Sequence, residues 1–187
     1  MGEQASCRRT SINLQHLKGL IQEETFKPKQ RWSWWRLCYQ LRIGKPATQV
    51  LSRLRLAQWL QHVGARGLAR WLFNGLALRF GVYVGPRTTI GEGLHFPHPI
   101  SVVIGDRLVL GERCRLYQQV TLAGAPKGQA PFPRLGNDVV VYPGAKVVGK
   151  GRVGNNVIIG ANALVNQPFG DDVVLAGVPA RVINTMR

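Results

Sequence analysis

Hydrophobic positions along this chain obey two different spacings that meet near Gly81. Before it, QVLSRLRLAQWLQHVGARGLARWLFNGLALRF places Leu51, Leu54, Trp59, Leu60, Val63, Leu68, Trp71, Leu72 and Leu76 three or four residues apart. That is the period of an amphipathic helix, and Gly64 and Gly67 are expected to split it in two. An earlier segment through Leu14, Leu17, Leu20 and Ile21 reads as another helix with Ser11 as its candidate cap, while Pro28 and Pro46 punctuate the chain beyond it.

After Gly81 the spacing becomes six. Counting from Val84 gives Ile90, Phe96, Val102, Leu108, Cys114 and Val120, then, after one interruption, Leu135, Val141, Val147, Val153, Ile159 and Val165. All thirteen are apolar, and with 45% of the chain apolar such a run arises by chance on the order of 3 times in 100,000. A period of six excludes a helical stripe and suits short strands joined by bends, each turning one side chain inward. Three strands per coil make a triangular prism. The apolar residue is often followed by glycine (Gly85, Gly91, Gly136, Gly154, Gly160), with Asn137, Asp138, Asn155 and Asn156 nearby, residue types that tolerate tight turns and positive φ. The interruption from Val120 to Leu135 is nine residues longer than one repeat and must leave the prism as a loop. The chain therefore divides into a helical region, 1–80, a β-helix, 81–183, with a loop at 121–134, and a tail, 184–187. A ladder of this kind needs a cap over its open end and flat sides buried against other subunits, so an oligomer is expected.

Composition narrows the partners. At 187 residues and 45% apolar the chain can fill a core, which excludes a fully disordered protein. Its net charge of +16 favours anionic partners. Residues 1–80 carry 14 basic and 3 acidic residues and all five tryptophans, with no acid between Glu24 and Glu92. Two readings of this half stay open. Arg53, Arg55, Arg66 and Arg70 are either the solvated outside of a helical cap or, with Trp32, Trp34 and Trp35, a basic face on an anionic membrane. Cys7, Cys38 and Cys114 form no CxxC pair, so neither a disulfide scaffold nor a metal site is expected, and a cytoplasmic location, or a peripheral one at the inner membrane face, is. The N-terminus lacks the apolar run of a secretion signal. Gly2 and Ser6 fit a loose myristoylation pattern, for which an ordinary chain terminus is the preferred explanation. Arg66, Arg70 and Arg79 interrupt the most apolar stretch, so no membrane span is expected. No nucleic-acid-binding motif accompanies the charge, which disfavours nucleic acid.

The repeat, together with GLHFPHPISVVIGD, QQVTLAGAPKG and the terminal AGVPAR, resembles the hexapeptide-repeat acyltransferases, and among them the serine acetyltransferase family, over about Gly81 to Ile183. That resemblance implies a left-handed β-helix, a homotrimer or dimer of trimers with sites between adjacent prisms, and acetyl transfer from acetyl-CoA without a metal. It puts His98 at the catalytic base position, with His95 as a neighbour or acceptor contact. Gly124 falls at an oxyanion donor. Gly144, Ala145, Ala161 and Asn166 fall in the CoA groove, with Arg181 and Lys127 toward its phosphates. Each also has an ordinary structural explanation as a coil or turn residue. The chain departs from the family where it has Tyr83 in place of the carboxylate that orients the histidine, Pro97 in place of an aspartate, and Phe132 in place of a second histidine. Those losses remove charged partners for a zwitterionic acceptor. The expected activity is thus O-acetylation of a sugar hydroxyl in a cell-surface polysaccharide or its precursor, with Phe132 against the sugar. The alternatives are a divergent serine acetyltransferase of cysteine biosynthesis and a non-catalytic polyanion-binding or scaffold protein.

Overall fold

The computed structural model describes residues 13–26, 32–124 and 132–186. Gly2, Ser6, Cys7, Ser11, Pro28 and Lys127 lie outside the described residues. Among the described residues four helices come first: α1 (Leu14–Thr25), α2 (Trp34–Arg42), α3 (Pro46–His62) and α4 (Arg66–Phe80). Asn13, whose side chain accepts from the His16 N–H, caps α1, and Pro46 opens α3 where its missing N–H is least costly. The long periodic segment does break, at Gly64, whose φ of +87° few other residues adopt. Gly67 does not contribute, because it lies inside α4 where a helix tolerates it. Among the described residues no helix is long and apolar enough to cross a membrane.

The strands of the second half are β1 (Tyr83–Val84), β2 (Thr89–Ile90), β3 (Val103–Ile104), β4 (Val109–Leu110), β5 (Arg115–Leu116), β6 (Thr121–Ala123), β7 (Arg134–Leu135), β8 (Val140–Val141), β9 (Lys146–Val148), β10 (Arg152–Val153), β11 (Ile158–Ile159), β12 (Leu164–Val165), β13 (Pro168–Phe169), β14 (Val173–Ala176) and β15 (Arg181–Thr185). They form the three faces of a left-handed prism. The first face is β1-β3-β6-β9-β12, the second β2-β4-β7-β10-β13, and the third β5-β8-β11-β14-β15. Every pairing is parallel except β14 with β15, which turns back along the third face.

All thirteen residues of the six-residue series are buried, yet they are not one ladder. Val84 pairs with Ile104, twenty residues on, whereas Ile104 pairs with Leu122 and Val147 with Val165, eighteen on. The first coil therefore holds two extra residues. Beyond them Val102, Leu108, Cys114 and Val120 occupy a second inward position, two residues before Ile104, Leu110, Leu116 and Leu122, which carry the ladder itself. Counting by six slips from one inward column to the other without meeting a polar residue, because both columns are apolar. The same slip corrects the loop. Leu122 pairs with Val147, twenty-five on, so the excursion is seven residues longer than a normal coil; the other two of the expected nine belong to the first coil.

The glycines that follow the apolar positions serve space rather than positive φ. Gly91, Gly111, Gly136 and Gly154 stack at the corner between the second and third faces, and none has φ in the left-handed region. A Cβ on Gly136 would come 2.5 Å from the Gly154 carbonyl. Beside them Asn137, Asn155 and Asp171 pass side-chain hydrogen bonds from coil to coil, each accepting at 2.6–2.8 Å from the N–H of the coil above. Gly136→Ala is expected to lower stability by about 1–3 kcal/mol, as overpacking does. Gly19→Ala, in α1 with nothing within 4 Å, should raise it by about 0.5–1 kcal/mol. Thermal unfolding of the two variants checks the contrast.

One core runs from the helices into the prism. Val50, Leu51 and Leu54 of α3 and Leu76 of α4 join Val82, Val84 and Ile90 of the first coil in a single buried cluster. Arg55 belongs there too, and not to the solvated face. Its guanidinium, 3% exposed, pairs with Glu24 of α1 at 2.5 and 2.9 Å and donates to the carbonyls of Ile90 (3.1 Å) and Gly91 (2.5 Å), while Glu24 accepts from the Leu94 N–H (3.1 Å). β2 is the outermost strand of the second face, and its carbonyls have no coil above them. The ion pair caps that edge. Leu68 and Trp71, expected in the apolar stripe, are 60% and 71% exposed.

Candidate active site

The two extra residues of the first coil are His98 and Pro99. Ile100 accepts from the Gln119 N–H as Gln118 accepts from the Gly144 N–H and Pro143 from the Asn162 N–H. Ser101, with φ +55°, matches Gln119 (+60°), Gly144 (+73°) and Asn162 (+57°) at the same turn. Ile100 thus continues the corner column, and of the two residues before it Pro99 is buried while His98 is exposed. The Ile100 N–H donating to the His98 carbonyl at 2.8 Å closes this small turn, and Pro97 and Pro99 stiffen it on both sides. The imidazole stands exposed at the corner between the third and first faces.

Its neighbour is Tyr117, not Tyr83. The His98 and Tyr117 rings lie 6.5 Å apart, tilted by 57°, and Tyr117 stacks on Tyr142 at 5.2 Å and 9°. Tyr83 lies half exposed at the start of the first face, and among the described residues it makes no hydrogen bond to His98. Tyr117, Gln118 and Tyr142 were not anticipated. The signal was in the sequence: once the first coil is allowed its two extra residues, Tyr117 and Tyr142 fall on the Pro97 column beside the histidine. Gln118 adds a buried Oε1 that has no partner among the described residues.

His95 projects from the outside of the third face, where it bridges to Arg115. Burial first, and then the charge of Arg115, hold its pKa below the usual histidine value. It stays neutral at physiological pH, suited to a contact rather than a counter-charge.

The expected groove residues separate on this scaffold. Ala161 lies on the His98 corner, exposed, and its N–H donates to nothing among the described residues. Gly144 and Ala145 lie there too, but their amides are used within the coils, Gly144 donating to the Gln118 carbonyl at 3.1 Å and Ala145 to that of Tyr142 at 3.2 Å. Ala145 is fully buried. Arg181 pairs with Ala176 at the lower end of the same edge. From His95 to β15 the third face takes five strand steps, about 24 Å at the usual spacing.

Gly124, Phe132 and Asn166 lie at the opposite edge of the first face. Phe132 covers Gly124, so that a Cβ there would strike the ring at 2.8 Å, and Arg107 lies 5.8 Å from the same ring. The Gly124 N–H has no acceptor among the described residues. One face of the prism, six residues or about 20 Å, separates this edge from His98, so a single chain does not bring the two groups together.

A face-by-face parallel prism with a histidine extruded from one corner places the chain in the class of hexapeptide-repeat acyltransferases. No family model matches the chain. A serine acetyltransferase of Synechococcus elongatus is 38% identical over 148 residues, which cover 79% of this chain and 58% of the relative. A solved serine acetyltransferase in complex with CoA superposes with a TM-score of 0.66 at 31% identity, over 73% of this chain and 56% of that one. The Neisseria gonorrhoeae serine acetyltransferase solved in complex with serine shares the fold, with a TM-score of 0.75 at 22% identity over 93% of this chain and 72% of that one. By these matches the chain belongs to the serine acetyltransferase family. The chain spans a little over half the length of the curated relative.

Proposed function

We propose that this protein is an acetyl-CoA-dependent O-acetyltransferase in which His98 is the general base. The observation that carries it is the extrusion of His98 at the head of a corner that runs down past Ala161 to Arg181. An imidazole nitrogen takes the proton of an acceptor hydroxyl as its oxygen attacks the thioester carbonyl. Collapse of the tetrahedral intermediate expels the CoA thiolate, which takes from His98 the proton that came from the acceptor hydroxyl. The Gly124 amide, without an acceptor among the described residues, would stabilise the oxyanion, but only from a neighbouring copy, because in its own chain it sits one face away. This arrangement supports a homotrimer with sites between prisms. The pantetheine arm follows the His98 corner, with the exposed Ala161 N–H as a donor and Arg181 at the phosphate end. Asn166 borders the groove from the neighbour's edge, and Lys127 is assigned to the phosphates.

Serine is the acceptor that the relatives' names support, in preference to a polysaccharide hydroxyl. A second reading, a neutral sugar hydroxyl, rests on one observation: Tyr83, Pro97 and Phe132 offer a zwitterion no charge, and the ring beside His98 is Tyr117, itself stacked on Tyr142. Release of CoA thiol from acetyl-CoA, measured with L-serine, simple sugars and nucleotide sugars, decides between them. Serine-dependent release supports the first, and release only with sugars the second. No release with any hydroxyl acceptor, together with no binding of acetyl-CoA, would leave the scaffold reading.

The same reading bears on thiol chemistry. Burial pushes the Cys114 thiol up to about 11, so in the native protein it should resist a disulfide reagent at pH 8, while the exposed Cys38 reacts. A count of fast-reacting thiols that includes Cys114, set by comparison with Cys114→Ala, would contradict its buried inward position.

A further inference from the structure

The helical half holds a feature the acetyl-transfer chemistry does not use. Between α3 and α4 lies a cleft of about 360 Å³ lined by Arg53, Trp71, Leu72, Gly75, Leu78 and Arg79. Its outer wall is apolar and open to solvent, with Trp71 71% and Leu78 89% exposed. It also carries two guanidinium groups, 5.7 and 5.6 Å from the single ring of Phe80. Among the described residues neither arginine meets a carboxylate, and none is available locally, since residues 32–80 hold eight arginines and lysines and no acid. Arg53 is anchored by donating to the carbonyls of Leu41 and Gln49, which orients the group but leaves its charge unbalanced. Burial, and then the charge of Arg79, lower its pKa, a sign of two cations held together without an anion.

An exposed tryptophan and leucine beside a pair of unneutralised arginines call for a ligand that is apolar at one end and anionic at the other. We propose that this cleft docks the protein on a bilayer containing anionic phospholipid, the phosphate between Arg53 and Arg79 and the acyl chain against Trp71, Leu72 and Leu78. Charge selects the bilayer over pairing of this face with the same face of a second copy, because that would oppose arginine to arginine with no carboxylate between them. Tryptophan and arginine are also the residues that settle at the headgroup level. None of the residues that line the cleft is assigned to acetyl transfer, so the proposal stands apart from that reading.

Sedimentation of the full chain with vesicles tests it. Binding is expected to phosphatidylcholine vesicles containing phosphatidylglycerol and not to phosphatidylcholine alone. Trp71→Ser should weaken binding about tenfold or more, since the ring's burial is lost, and Arg79→Gln about fivefold. Arg152→Gln removes the same charge from the exposed second face of the prism and should change binding little. Circular dichroism confirms that each variant is folded. The proposal is overturned if the protein stays in solution with anionic vesicles, or if Arg152→Gln weakens binding as much as Arg79→Gln, which would reduce the effect to diffuse charge. It is equally overturned if Trp71→Ser shrinks the assembly seen by light scattering, which would make this face a contact between copies.

Discussion

His98→Ala is expected to lower the rate of acetyl transfer by about 10²–10⁴-fold, the usual contribution of a positioned general base, while acetyl-CoA still protects the protein against thermal unfolding. The separation follows from the geometry. His98 sits at the head of the corner in a pair of residues added to the coil, so truncating its side chain leaves the ladder, Ala161 and Arg181 where they are. Protection by a ligand depends only on its affinity for the folded state. A variant that loses protection along with turnover would show that His98 holds the cofactor or the fold, and retained turnover would remove it from the chemistry. Tyr117→Phe keeps the ring against His98 and should cost little, whereas Tyr117→Ala removes the imidazole's only ring neighbour among the described residues and should lower kcat more than it raises KM.

Arg55→Ala should destabilise the protein by about 3–5 kcal/mol, because it strands the Glu24 carboxylate in a site where its side chain is 1% exposed. For a chain of this size that is a fall in Tm of roughly 10 °C. A buried ion pair can often be exchanged for apolar residues without loss. Here the double change Arg55→Met with Glu24→Leu is expected to remain destabilised, since the carbonyls of Ile90 and Gly91 and the N–H of Leu94 would lose their partners as well. Thermal and urea unfolding of the single and double variants distinguish the cases. If the double variant recovers wild-type stability, the pair does not cap the prism.

Much of the prism was legible because its rule is local. A side chain every six residues must be aliphatic to be buried, and a corner must be glycine where the next coil's backbone lies against it, as at Gly136. The phase of that rule was harder to read. With Phe96 and Val102 both apolar, nothing along the chain marked that the inward column passes to Ile104, and the extrusion of His98 was hidden in a count that still came out apolar. The helices were legible as helices but not in their partners. Arg55 and Arg53 look alike by spacing, yet one is sealed against Glu24, thirty-one residues away, and the other opens onto a cleft. The same limit applied to the site: Tyr83 was matched by sequence position to the group that orients the histidine, while Tyr117, one coil further on, is the ring that meets it.

From its residues alone this chain was bound to form short strands bent every six residues behind an amphipathic helical segment, because hydrophobic burial and backbone sterics act over a few neighbours. Which coil lies on which, what caps the open edge, and which ring meets His98 were decided only in three dimensions. Those choices depend on hydrogen bonds and charges between residues eighteen or more positions apart, whose cost or gain appears when the coils close on one another.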